Sequence, residues 1–153
     1  MITTDHAVAE FVSKALGFGL CPPYTQLGIV QDRKVIGGVV FNMFEGSDLH
    51  FTAAGRGWSP AFMRAVGQYV YSQLGCERMT CITEQPSVAR LAIRLGGKVE
   101  GTLRNHFGPN RDGTLIGILR NEWKYRTIPA NLGTVEPLHV LPDIRKRSSG
   151  LNT

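Results

Sequence analysis

The stretch Leu49-His-Phe-Thr-Ala-Ala-Gly-Arg-Gly-Trp-Ser-Pro60 constrains the fold more than any other, because an apolar run passes through a glycine-containing loop directly into a helix start. A strand is predicted over Leu49–Ala54. Gly55 and Gly57 allow a tight turn and close approach of main chain to a ligand, Ser59 suits an N-cap, and Pro60 suits the first helical turn. The free N–H groups of such a helix start form a site for a phosphate. An ordinary strand-to-helix turn uses the same residues, so the motif alone leaves both readings open.

The chain has 153 residues, 42% of them hydrophobic, enough for one domain with a real core and not for two. No apolar run reaches membrane-span length, and Met1-Ile-Thr-Thr-Asp-His lacks the regions of a secretory signal, so a soluble, cytoplasmic protein is expected. Cys21, Cys76 and Cys81 are odd in number and lack metal-ligand spacing, which predicts no disulfide framework and no metal site. A net charge of +5 favours an anionic partner, be it nucleic acid, an acidic protein or a phosphorylated cofactor. Part of that charge lies in Arg145-Lys146-Arg147. The expected division is a domain over 1–126 and an extended, Pro-containing basic tail over 127–153.

Ala7, Phe11, Val12 and Ala15-Leu16 recur at helical spacing between a Thr4-Asp5 cap and Gly17. Leu27–Val30 and Val35–Phe44 flank Gln31-Asp-Arg-Lys34 and predict a hairpin, with the Leu49–Ala54 strand antiparallel to its predecessor. Phe62, Val66, Tyr69, Val70 and Leu74 make a helical stripe ending at Gly75, and Arg78–Thr83 reads as a strand, which completes a parallel crossover. Pro86 opens a helix with Val88, Leu91, Ala92 and Leu95 on one face and Arg90 and Arg94 on another, closed by Gly96-Gly97. Lys98–Phe107 and Thr114–Trp123 bracket Gly108-Pro-Asn-Arg-Asp-Gly113 as a final hairpin.

These elements predict an α/β (α+β) protein: a mixed, mostly antiparallel sheet with one parallel crossover that carries the glycine loop. The third glycine of a dinucleotide fingerprint is missing, as is an acidic residue ending the next strand. No Gly-Lys-Ser/Thr follows the loop. The nicotinamide and triphosphate readings drop accordingly.

Three segments taken in order, Ala54-Gly-Arg-Gly-Trp-Ser59, Tyr71-Ser-Gln-Leu-Gly-Cys-Glu-Arg-Met79 and Arg94-Leu-Gly-Gly-Lys-Val-Glu-Gly-Thr-Leu-Arg104, resemble the GNAT superfamily of acyl-CoA-dependent N-acetyltransferases. Leu95–Arg104, followed by Gly117-Ile-Leu-Arg-Asn-Glu-Trp123, looks like the branch that acetylates protein N-termini (ribosomal-protein-alanine acetyltransferases), and still more like small bacteriophage-encoded GNAT proteins. The resemblance covers roughly 24–125.

It implies a sheet splayed between its two parallel strands, helices on both faces, and acetyl-CoA as co-substrate entering the splay. The pantetheine arm would pair with main chain near Phe51, Thr52 and Ala53. The pyrophosphate would rest on N–H groups of Gly55, Arg56, Gly57, Trp58 and Ser59. Gln85 stands near the place where many relatives carry a cofactor-touching asparagine, and Ser87 could reach the same region. The sequence departs from the pattern at Ala54, where Gln or Arg is usual, at Ser59, where a small Gly or Ala is usual, and at Ala92, where many relatives place an acid tyrosine. The resemblance also implies a possible homodimer, and host cytoplasm if the chain is phage-encoded.

Amine acetylation needs a positioned neutral amine, donors for a developing oxyanion and a route for the amine proton. A strand bulge near Thr52 would aim a backbone N–H at the thioester carbonyl. His50, on the cofactor strand, is the candidate base, directly or through water; a structural histidine is the plainer alternative. Glu100, Arg104 and His106 alternate on a strand near the acceptor side and could share one face. Arg111 and Asp112 are expected to serve the turn, Glu122 and Tyr125 to close the domain, and Trp58 to pack. Three functions remain open: acetyl transfer to an amine of a protein, small molecule or modified base; a GNAT-fold protein without acetyl transfer that binds DNA or a host protein; and nucleobase modification.

Overall fold

Gln31-Asp-Arg-Lys34 closes as a two-residue turn with Asp32 and Arg33 at φ 51° and 63°, the twist that antiparallel neighbours require. It joins β2 (Thr25–Gln31) to β3 (Lys34–Asn42) in the computed structural model, which describes residues 1–126 and 143–147. A short β1 (Ile2–Thr3) precedes them. It is too brief for any alternation to reveal and pairs with Gly28 and Ile29. β4 (Asp48–Gly55), β5 (Arg78–Thr83), β6 (Lys98–Gly108) and β7 (Arg111–Leu119) complete one seven-stranded sheet in the order β1-β2-β3-β4-β5-β7-β6. Every pairing is antiparallel except β4 with β5.

Helices cover both faces. α1 (Ala7–Leu16) starts where Asp5 Oδ1 accepts the Ala7 N–H at 2.8 Å and ends at left-handed Gly17. Its Val8, Ala9 and Val12 pack on Val40 and Ala54 as a small separate core. The larger core lies on the opposite face, where α2 (Pro60–Gly67) and α3 (Pro86–Arg94) close over Val39, Phe41, Leu49, Phe51 and Met79. Ala92 and Leu95 of the predicted stripe are buried there, whereas Arg90 and Arg94 are exposed.

The stripe predicted to run as one helix to Leu74 instead widens after Gly67 into a π-helical segment, Gln68–Gln73, with Leu74 N–H donating to the Tyr69 carbonyl at 3.0 Å. Widening keeps both tyrosines inside. The Tyr69 hydroxyl meets Thr25 Oγ1 at 2.8 Å, and the Tyr71 hydroxyl donates to the Ile118 carbonyl at 2.7 Å. The closing hairpin is tighter than its glycines predict, because Arg111 and Asp112 belong to β7 and only Pro109-Asn110 lies between the strands. Trp123, expected at the end of that strand, leaves the sheet and is buried against Gly67, where an added Cβ would come within 2.2 Å of its Nε1.

The expected tail over 127–153 lies outside the described residues except for 143–147. These residues form a helical turn, α4 (Ile144–Arg147), with Ile144 buried in the main core, in place of an extended segment. No described helix is long and apolar enough to cross a membrane.

Candidate active site in the splay between two parallel strands

β4 and β5 stay together for only three residue pairs, Asp48 with Arg78, Leu49 with Met79 and His50 with Thr80. Beyond them β4 remains paired with β3 as far as Gly55, while β5 remains paired with β7 as far as Thr83. The two half-sheets are each satisfied on their outer side and therefore part at the C-terminal ends of the parallel strands. The opening encloses about 350 Å³ of empty space, mouth included, among Leu16, Phe18, Thr52, Ala53, Cys81, Ile82, Thr83, Glu84, Gln85, Val88 and Phe107.

Main-chain direction in this gap follows from two hydrogen bonds. Arg56 N–H donates to the Ile36 carbonyl at 3.0 Å, and Arg78 N–H donates to the Ser47 carbonyl at 3.1 Å. By strand alternation the even residues of β4 then bond to β3, and the odd residues turn their amides toward β5. The last rung falls between the Phe51 N–H and the Thr80 carbonyl. The Phe51 carbonyl and both main-chain groups of Ala53 face the gap with no strand opposite. Of the expected pantetheine partners, Phe51 and Ala53 are so placed, but Thr52 is not: its amide groups bond across to β3. The bulge expected near Thr52 is absent as well, since the β3–β4 register runs unbroken from Asn42/His50 to Gly37/Gly55. What Thr52 offers the gap is its side chain.

The glycine loop takes the predicted form with one correction. Gly55 and Gly57 adopt φ 93° and 96°, and Ser59 Oγ accepts the Phe62 N–H at 3.1 Å as N-cap. Arg56, expected among the phosphate donors, has spent its N–H on Ile36, because the β3–β4 ladder runs one rung past Gly55. The N–H groups of Gly57, Trp58, Ser59 and Ala61 have no acceptor among the described residues and lie at the positive end of α2. The Trp58 ring packs 5.7 Å from Phe62, as expected of an aromatic residue at a helix start. Gln85 lines the gap and precedes α3, its N–H held by Thr83 Oγ1 at 3.0 Å, whereas Ser87 is exposed and outside the lining. Ala92 is buried in the core rather than turned to the gap.

His50 sits at the vertex of the splay, on the α1 face of β4, with Nε2 3.5 Å from Asp48 Oδ2. Asp48 Oδ1 accepts the Thr80 hydroxyl at 2.7 Å and lies 3.6 Å from Arg78 Nε. Burial would raise the Asp48 pKa, but hydrogen bonds from His50 and Thr80 and the charges of His50 and Arg78 together outweigh it and hold the carboxyl below its ordinary value. Sequence reading missed Asp48, since it lies in a Gly-Ser-Asp turn signal; its spacing of two from His50 on one strand was the available clue. The Cys81 thiol also lines the gap, and burial pushes it up to about 12, so it is protonated at neutral pH and is no thiolate nucleophile.

The residues predicted to share a face are not all brought together. Glu100 is taken by Arg78, with Nη2 to Oε1 at 2.6 Å, while Arg104 and His106 line a shallow concavity with Asp112 beyond an irregularity in β6. Asp112 serves the turn as expected, accepting the Asn105 N–H at 2.8 Å. Arg111 does not: it reaches across to clamp Glu84, whose carboxyl it holds below the usual range through their hydrogen bonds. Glu122 pairs with Lys98 at 3.4 Å, and the Tyr125 carbonyl accepts the Trp123 indole N–H at 3.1 Å; both close the domain.

No protein-family model matches the chain, and no curated protein matches its sequence. Solved structures do match. Mutant forms of the spermidine/spermine N-acetyltransferase SpeG from Vibrio cholerae superpose with TM-score 0.61 at 13% identity, covering 79% of this chain and 95% of that one. A further SpeG mutant gives 0.55 at 18% identity over 67% of this chain and 66% of that one. A T. thermophilus protein described as an acetyltransferase gives 0.57 at 22% identity, over 73% of this chain and 65% of that one. The chain thus spans just under two thirds of the length of the last two. The fold is that of the GNAT acetyltransferases, and likeness at this identity establishes the fold alone.

Proposed function

We propose that the chain is an acyl-CoA-dependent N-acetyltransferase that moves an acetyl group from acetyl-CoA to a primary amine. The observation that carries this reading is the three-rung pairing of β4 with β5, which leaves the Phe51 carbonyl and the Ala53 amide groups open beside a helix start whose N–H groups find no acceptor among the described residues. An extended amide-bearing arm would pair with Ala53 as an added strand does, and a pyrophosphate would sit on the N–H groups of Gly57, Trp58, Ser59 and Ala61. Acetyl-CoA supplies a thioester carbonyl, and transfer to an amine releases the CoA thiol and one amine proton. His50, oriented by Asp48, is the base that takes this proton, directly or through a water. Thr52 and Gln85 border the reacting end of the gap. The likeness in sequence to the branch that acetylates protein N-termini supports an N-terminal amine among the acceptors.

Titration calorimetry with CoA and acetyl-CoA tests the binding half, with micromolar to submillimolar affinity expected; no heat at millimolar ligand would remove the reading. Thiol release across a panel of amines tests the transfer half. A His50→Ala enzyme should bind CoA as the parent does and lose about 10²-fold or more in kcat, the usual range for a general base.

A further inference from the structure

The splay opens on both faces of the sheet, and the two openings differ in chemistry. Gln85 and Val88 mark the side of α3. On the side of α1 the rim is Leu16, Phe18, Ile82 and Phe107, and the Phe18 and Phe107 rings stand 5.9 Å apart, within the range of aromatic pairs. Ile82 and Phe107 share that face, since both lie against the same side of Gly113. The helix start offered to pyrophosphate belongs to the other face, so a second reactant has the α1 side to itself.

Charge at this mouth is spoken for. Among the described lining residues Glu84 is the one carboxylate, and Arg111 holds both of its oxygens, Nε on Oε2 at 3.0 Å and Nη2 on Oε1. Two further acids described on the same face are also engaged, Asp48 by Thr80, His50 and Arg78, and Glu100 by Arg78. A polyamine lying across this mouth would find no free carboxylate there among the described residues to pair its second ammonium. A chain of net charge +5 does not steer polycations toward itself either.

Resting on the acetyltransferase reading above, we infer that the acceptor is a primary monoamine with an apolar, aromatic-sized body next to the amino group, seated against the paired rings of Phe18 and Phe107, and that polyamines are rejected. Such a body occurs in a free arylalkylamine and in the first residue of a peptide. The face is thereby set apart from the spermidine acetyltransferases that share the fold.

An amide NMR titration of the isotope-labelled full chain, without CoA, reads this directly. Phenethylamine, a short peptide amide with N-terminal Phe, and spermidine are added separately. Shifts at Phe18, Ile82 and Phe107 with either aromatic amine, weakened about tenfold by Phe18→Ala and by Phe107→Ala, are the expected result, and the tighter of the two ligands identifies the source. Spermidine shifting the same amides at equal or lower concentration would overturn the inference. So would silence toward both aromatic amines at tens of millimolar, or indifference to both substitutions. Because the titration needs no cofactor, failure of CoA binding would defeat the proposed reaction and leave this outcome separately readable.

Discussion

His50 Nε2 lies 3.5 Å from Asp48 Oδ2 on one face of β4, at the vertex where β4 and β5 separate. The pair ties a candidate base to the only stretch where the two parallel strands still touch. Because the Asp48 pKa is depressed in the folded state, its contribution to stability is present above the unfolded carboxyl value and is lost as pH falls through the folded value, below the ordinary 3.8. Asp48→Asn should therefore lower stability by about 1–2 kcal/mol at neutral pH, the scale of hydrogen bonds to a charged acceptor. The deficit should shrink toward zero as pH drops below that range. Urea midpoints of both proteins across pH 2 to 7 check it, and a constant gap would show that the charge contributes nothing.

Gly55 and Gly57 share a left-handed φ but not a surrounding, which predicts unequal tolerance. A Cβ at Gly55 would meet the Ile36 carbonyl oxygen at 2.3 Å and Gly37 Cα at 2.6 Å, both main chain and unable to yield. At Gly57 the nearest atoms are the side-chain methyls of Ile36 and Ile29 at 3.1 and 3.2 Å. Gly55→Ala should cost several kcal/mol, as close main-chain conflict plus strain does, and Gly57→Ala about 1–2 kcal/mol from backbone strain. Thermal unfolding of the two variants side by side decides. Equal costs would mean that the Gly37–Gly55 approach is looser than described.

The three cysteines should react in two classes. Cys21 is exposed, while burial pushes the Cys76 thiol up to about 11 and Cys81 up to about 12. Since the thiolate is the reacting form, iodoacetamide at pH 8 should label Cys21 rapidly and the other two only after unfolding. Peptide mass spectrometry counts the labels. Fast labelling of Cys81 in the native chain would mean that the gap admits solvent to its thiol.

Much of this framework was legible from pattern alone. Leu49–Ala54, the glycine loop, the Ser59 cap and Arg78–Thr83 all carry local signals of period, cap and turn, and the structure follows them within a residue. The splay was available only through resemblance, because it arises from how far β3 and β7 hold their partners, a nonlocal fact. The main-chain groups of Thr52 and Arg56 are engaged with β3 for a related reason: which amides are free depends on the phase of a ladder, not on residue type. The Glu84–Arg111 clamp and the Phe18–Phe107 pair join residues 27 and 89 positions apart, and nothing local to either predicts the other. Asp112 was read correctly because its partner, Asn105, sits in the same hairpin.

The clamp at the mouth supplies the last prediction. If Arg111 is what denies Glu84 to a second ammonium, then Arg111→Met should create affinity for a polyamine where the parent has little. Both side chains are exposed and the turn geometry belongs to Asp112 and Asn105, so the substitution leaves the hairpin intact. With the carboxylate released, spermidine should gain a few-fold in apparent affinity, the scale of an exposed ion pair. The gain should fade as salt rises, because an exposed pair is screened. A companion Arg111→Met/Glu84→Gln protein should lose the gain and keep its affinity for phenethylamine. Spermidine titrations of the three proteins at low and high salt check the set. A gain that survives removal of the Glu84 charge would place the polyamine elsewhere on the surface.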